Sequence, residues 1–203
     1  MKRFVLVLLL IILAVILVGC STPPMFEPEQ ATYLLGQTKE DIFEIMNLKE
    51  KDYEETKSYQ LEKEYILGNK TFQLEAGSLH HYEIPNRYKI LGVVGNVTLE
   101  FMNNNLVYLG LNSNFETASE GFNQVKTYCD TIKSLYGEPL DNPTDKRLCN
   151  LSQFSDMAHS EYDVINYFDT WLIGDKTEVS IVVGYYPEGN LKLSIEYKQL
   201  AKK

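Results

Sequence analysis

Three segments near the end of the chain constrain its fold more than any other feature. Leu191, Leu193, Ile195 and Tyr197 alternate with Lys192, Ser194, Glu196 and Lys198 without a slip. Thr177 to Tyr186 repeats the pattern through Val179, Ile181 and Val183, and Tyr162 to Ile173 through Ile165, Tyr167, Trp171 and Ile173. A sustained period of two belongs to half-buried strands. The joints, Gly174-Asp175-Lys176 and Pro187-Glu188-Gly189-Asn190, carry turn chemistry. An antiparallel meander is expected, with one face in the core and the other in water.

Upstream the period changes. Phe122, Val125, Cys129, Ile132 and Tyr136 recur at spacings of three and four, which predicts an amphipathic helix over 117–136. Thr117 or Ser119 caps its start, Gly137 ends it, and Pro139 forbids continuation. Residues 138–160 then form a polar loop. Before the helix, Val93 to Met102 and Leu106 to Asn112 flank Asn103-Asn104-Asn105, a hairpin whose turn residues tolerate left-handed backbone. Earlier still, Thr38 can cap a short helix through Ile42, Phe43, Ile45 and Met46, with Asp41 reaching back toward the cap. Thr71 to Leu74 and His81 to Ile84 suggest short strands. The charged run 49–64, with Glu54 and Glu55, reads as a solvated linker or surface helix before an acidic partner site. The expected fold class is α+β, in the order helix, hairpin, helix, three-stranded meander. The helices pack on an antiparallel sheet, as one domain or as two tandem modules, 33–116 and 117–203.

The N-terminus supplies the context. Lys2 and Arg3 precede fifteen apolar residues, Phe4 to Val18. That run is short of the ~20 residues a spanning helix needs and matches a secretory signal. The sequence Leu17-Val18-Gly19-Cys20 resembles the lipobox of bacterial lipoproteins. The resemblance implies cleavage after residue 19 and a diacylglyceryl group on Cys20, whose two chains suffice for stable anchoring. Residues 20–32, with three of the seven prolines, are then a tether. The implied location is the extracytoplasmic face of the cell membrane, or the periplasmic face of an outer membrane.

Charge narrows the partners. Without residues 1–19 the chain has seventeen Lys and Arg side chains against 28 acids, a formal charge of −11. Such a body lacks the basic stripe of a nucleic-acid binder and is repelled by anionic lipid, which leaves membrane attachment to the lipid on Cys20. In an exported chain Cys129 and Cys149 are either a disulfide pinning the 138–160 loop to the helix or two separate thiols.

The opening Gly36-Gln37-Thr38-Lys39-Glu40-Asp41-Ile42 resembles small bacterial lipoproteins of the SmpA/OmlA type. It is also similar to modules related to the β-lactamase-inhibitor protein, which lay a short helix on an antiparallel sheet. The helix ending Leu135-Tyr136-Gly137-Glu138-Pro139, followed by Trp171 and strands, is similar to the second half of many exported lipoproteins. The resemblance implies helix-plus-sheet modules.

Chemistry-bearing motifs are sparse. No nucleophile elbow, zincin pair or phosphate loop occurs, and no cofactor is implied. His80 and His81 are adjacent, so a strand sends them to opposite faces, and His159 lies in the polar loop. No metal site and no catalytic residue is expected. Asp156 and Glu161 look solvated, although paired-carboxylate hydrolysis depends on spatial separation alone. Two functions follow: a non-catalytic envelope lipoprotein binding a protein or polymer, or an envelope hydrolase or inhibitor of an extracellular enzyme. For the first, Tyr185 and Tyr186 are the candidate contact surface.

Overall fold

Strand pairing between residues 105–115 and 191–199 makes one sheet out of what the sequence suggests are two modules. The computed structural model describes residues 25–90, 93–140, 165–186 and 190–200. In chain order these form β1 (Met25–Phe26), α1 (Pro28–Leu34), α2 (Lys39–Ile45), β2 (Glu54–Gln60), β3 (Lys63–Leu67), β4 (Lys70–Leu74) and β5 (Gly77–Ile90). There follow β6 (Val93–Met102), β7 (Asn105–Phe115), α3 (Ala118–Tyr136), β8 (Ile165–Ile173), β9 (Thr177–Tyr185) and β10 (Leu191–Gln199). The main sheet has eight strands in the order β1-β5-β6-β7-β10-β9-β8, with β2 also on β5. All its pairs are antiparallel except β1 with β5. The β3–β4 hairpin is a separate two-stranded sheet.

The α+β layout of helix, hairpin, helix and meander is therefore corrected. Among the described residues the protein is predominantly β, with one eight-stranded sheet running through both halves, the small hairpin sheet, one main core and three α-helices. β1, β2 and β3 are not foreseen in the sequence, and of β5 only His81 to Ile84 is. β2 is an edge strand with all but its last residue exposed, so its Glu-Glu-Thr-Lys run needs no apolar alternation. β5 breaks its own alternation where its register against β6 shifts between Ile84 and Tyr88.

Other expectations are met. Asn103 and Asn104 have φ of 50° and 67°, the paired left-handed conformation of a two-residue hairpin turn. Thr117 accepts the Glu120 amide at the start of α3, and Gly137, at φ 84°, ends it. Thr38 accepts the Asp41 amide at 3.3 Å, while the Asp41 carboxylate takes the Thr38 hydroxyl rather than the cap amide.

The helices cover one face of the sheet. Val125, Tyr128, Cys129 and Ile132 of α3 join Ala31, Leu34 and Ile42 in a core with Leu191, Leu193, Ile195 and Tyr197. Trp171 donates its ring N–H to the Gly137 carbonyl at 2.9 Å and so fixes β8 to the end of α3. The other face, expected to be wet, is partly roofed. Leu67, Phe72 and Leu74 of the β3–β4 hairpin pack with Leu200, and Tyr65, Leu140 and Leu172 border them. Accordingly Ser194, Glu196 and Lys198 are half-buried rather than open.

Candidate functional site

The roofed face carries the polar chemistry. Strand register lines up His81, Glu100, Tyr108, Lys198 and Glu178 as successive cross-strand partners on β5, β6, β7, β10 and β9. The next row holds Thr98, Gly110, Glu196 and Ser180. Directly opposed residues share a face, so both rows point away from the helices. Gly110 leaves room for its neighbour: a Cβ there would lie 2.7 Å from the Tyr108 hydroxyl, so the phenol lies over bare backbone.

Tyr65 closes the site from above. Its hydroxyl donates to Glu178 Oε1 at 2.9 Å, and the Ser180 hydroxyl donates to the same oxygen at 3.0 Å. The Lys198 ammonium sits 4.1 Å from the Tyr65 ring centroid, a cation–π contact. Glu178 is only 8% exposed, and its Oε2 is buried without a hydrogen-bond partner among the described residues. Glu196 accepts the Ser194 hydroxyl at 3.1 Å.

Two pockets that share part of their lining, an inner and an outer lobe, lie on this face. The inner lobe, about 230 Å³, is bordered by Glu100, Glu178, Glu196, Tyr108, Lys63 and Lys198. The outer lobe, about 330 Å³, shares Glu100, Tyr108 and Lys198 and is floored by Leu74, Met102 and Leu200. Burial holds the Glu196 carboxyl above the usual carboxylate range; Glu178 and Glu100 add to this, while Ser194 and Lys198 oppose it. Burial, reinforced by the glutamates, also raises the Tyr65 and Tyr108 hydroxyls, which stay protonated as donors. The site is thus a concave, acid-rich pocket with fixed donors on one wall and an apolar floor.

The residues singled out in the sequence lie elsewhere. Tyr185 packs against the main core, and Tyr186 borders a groove of about 580 Å³ with Lys192 5.1 Å from its ring centroid. That groove is larger, yet among the described residues it carries a single acid and a single lysine, Glu116 and Lys192. Cys129 is buried on α3, while Cys20, Cys149, Asp156, His159 and Glu161 lie outside the described residues. His80 pairs with Glu55 at 2.9 Å and His81 with Glu100 at 3.2 Å, on opposite faces of β5. Among the described residues no group of three His, Cys, Asp or Glu side chains comes together to hold a metal ion. No described helix is long and apolar enough to cross a membrane, and the apolar run 4–18 lies outside the described residues.

No protein-family profile, curated protein or solved structure matches this chain. Its function has to be argued from the pocket itself.

The pocket left one trace in the sequence. Glu178, Ser180, Ser194, Glu196 and Lys198 all occupy the supposedly wet positions of two clean strands. Nothing in that pattern separates a solvated face from one that a hairpin over a hundred residues upstream will cover.

Proposed function

We propose that this protein is an extracytoplasmic lipoprotein, anchored through lipid on Cys20, that binds an envelope component without catalysing a reaction on it. The observation that carries the binding half of this reading is the pocket under the β3–β4 hairpin, lined by Tyr65, Glu100, Tyr108, Glu178, Glu196 and Lys198. A concave site with a few placed polar groups and an apolar floor is the usual form of a ligand pocket. The lipobox supports the location, and the acidic body leaves anchoring to the lipid.

The test uses membranes from the native host. Val107 lines the outer lobe, so Val107→Trp should fill it. Affinity capture with wild-type and filled protein is compared component by component. A component retained by the wild type and lost from Val107→Trp supports the reading; identical retention by both removes the cavity as the binding site.

One observation favours a second reading, an envelope hydrolase. Glu196 holds its proton above the ordinary range while other carboxylates line the same lobe, an arrangement suited to an acid and a base. Turnover of isolated envelope polymer that disappears in both Glu196→Gln and Glu178→Gln would establish it in place of the first.

A further inference from the structure

We propose that the outer edge of β2 pairs with the same strand of a second copy of this chain, about a two-fold axis through Thr56. The pairing is independent of the pocket and of the binding reading above. β2 pairs with β5 on one side, and among the described residues no strand pairs with its other side. That edge lacks the usual protections. Glu54–Gln60 contains no proline, its register against β5 runs through all seven residues without a bulge, and Glu54 to Tyr59 are exposed. The opposite edge of the sheet is treated differently, because the Leu140 amide bonds the Thr170 carbonyl of β8.

The order of charges along the edge selects both occupant and register. A two-fold axis normal to a continuous sheet sets one residue opposite its own copy and keeps every side chain on its face. Centred on Glu54 or Glu55, it opposes like acids; centred on Lys57, it opposes two ammonium groups. Centred on Ser58, it leaves Glu55 and Lys57 without opposite charges. Centred on Thr56, it sets Glu55 opposite Lys57 of the other copy, and Tyr53 opposite Tyr59, each pair formed twice. Tyr53, Glu55, Lys57 and Tyr59 share one face. Tyr53 continues the strand at φ −145° and ψ 160°, and its ring lies 5.2 Å from that of Phe43 and 5.1 Å from that of Tyr82. Tyr59 is 64% exposed. The pairing thus brings the exposed Tyr59 of each copy to the rim of the other's aromatic cluster. Glu55 is already held on that face by His80 at 2.9 Å. A foreign strand would need this charge order by coincidence, whereas a second copy has it by symmetry.

The experiment is sedimentation of the full-length protein in density-matched detergent over a range of concentrations, with cross-linking through introduced cysteines. A monomer–dimer equilibrium is expected. Lys57→Glu should weaken it roughly tenfold or more, since two attractive cross-strand pairs become repulsive. Adding Glu55→Lys to that variant reverses both members of each pair and should restore the dimer, which separates edge pairing from damage to the fold. Opposed Cα atoms of an antiparallel pair lie about 4.5–5.5 Å apart, within disulfide reach. Thr56→Cys should therefore give a reducible dimer linked through position 56 on mild oxidation. Ser58→Cys should not, because the two copies of that position would lie about 14 Å apart. A monomer at every concentration, a dimer indifferent to Lys57→Glu, failure of the double variant to restore it, or a link through position 58 overturns the inference. So does a Thr56→Cys link in host membranes that joins a different protein instead of a second copy.

Discussion

The Tyr65 hydroxyl donates a 2.9 Å hydrogen bond to Oε1 of Glu178, across 113 residues of sequence. This contact joins the small hairpin to β9, one strand in from the β8 edge, beside the packing of Leu67, Phe72 and Leu74 with Leu200. Tyr65→Phe keeps the ring, and with it the Lys198 contact, but removes the donor from a buried carboxylate. A loss of about 1–3 kcal/mol in urea unfolding is expected. A change below ~0.5 kcal/mol would show that the hairpin does not depend on this bond in solution.

Glu196 should make stability fall with rising pH. Its native carboxyl binds a proton more tightly than the unfolded chain does. The stability linked to that proton is fully present below the unfolded value of about 4.3 and is lost as pH rises through the raised native value. Glu196→Gln keeps the uncharged form at every pH. The variant should therefore unfold at higher urea than wild type at neutral pH, with the advantage gone below about pH 4. An equal shift at both pH values would mean that packing, not charge, is responsible.

Leu193 and Ser194 test the register of β10. Leu193 is 1% exposed in the main core, whereas Ser194 is half-buried on the pocket face and bonds Glu196. Leu193→Ala should cost ~2–5 kcal/mol, and Ser194→Ala about 1 kcal/mol or less. A one-residue slip would exchange the faces and reverse the ranking.

These comparisons also mark what the sequence can disclose. Leu191 to Tyr197 declares its strand because one face is entirely apolar, and Asn103-Asn104 declares its turn through backbone tolerance. Thr117 and Gly137 mark α3 by capping chemistry. Each signal is local. The β7–β10 pairing that fuses the two halves is not, since Leu109 and Tyr197 meet across 88 residues. Glu54–Gln60 carries no signal at all, because an exposed edge strand has no buried face to pattern. The pocket was illegible for a related reason. Glu178 and Glu196 look like solvated residues until Tyr65 and its hairpin cover them.

Cys129 is buried on α3, and Cys149 lies outside the described residues. If the two are bridged in exported protein, alkylation should label neither before reduction and both after it. Loss of the bridge in Cys149→Ser should then cost roughly 3 kcal/mol, as expected for closing a loop of about twenty residues. Immediate labelling of both thiols in protein taken from the envelope would dismiss the bridge.

A lipid anchor on Cys20 would have a geometric consequence, because Met25 and Phe26 already belong to the sheet. Met25 and Phe26 pair in parallel with Lys89 and Ile90 of β5, so part of the stretch that reads as tether lies in the sheet. Only five residue steps separate Cys20 from Met25, a reach of roughly 17 Å when fully extended. A lipid on Cys20 would thus hold the β1 end of the sheet within about that distance of the headgroups. Fatty-acid labelling should tag the wild type and not Cys20→Ala, and that result comes first. A fluorophore at position 89 should then be quenched by headgroup-labelled lipid, and less so when a long Gly-Ser linker is inserted after Ser21. Equal labelling of Cys20→Ala would remove the anchor. Labelling with quenching that ignores the linker would keep the anchor and show that the sheet is held to the membrane by some other surface.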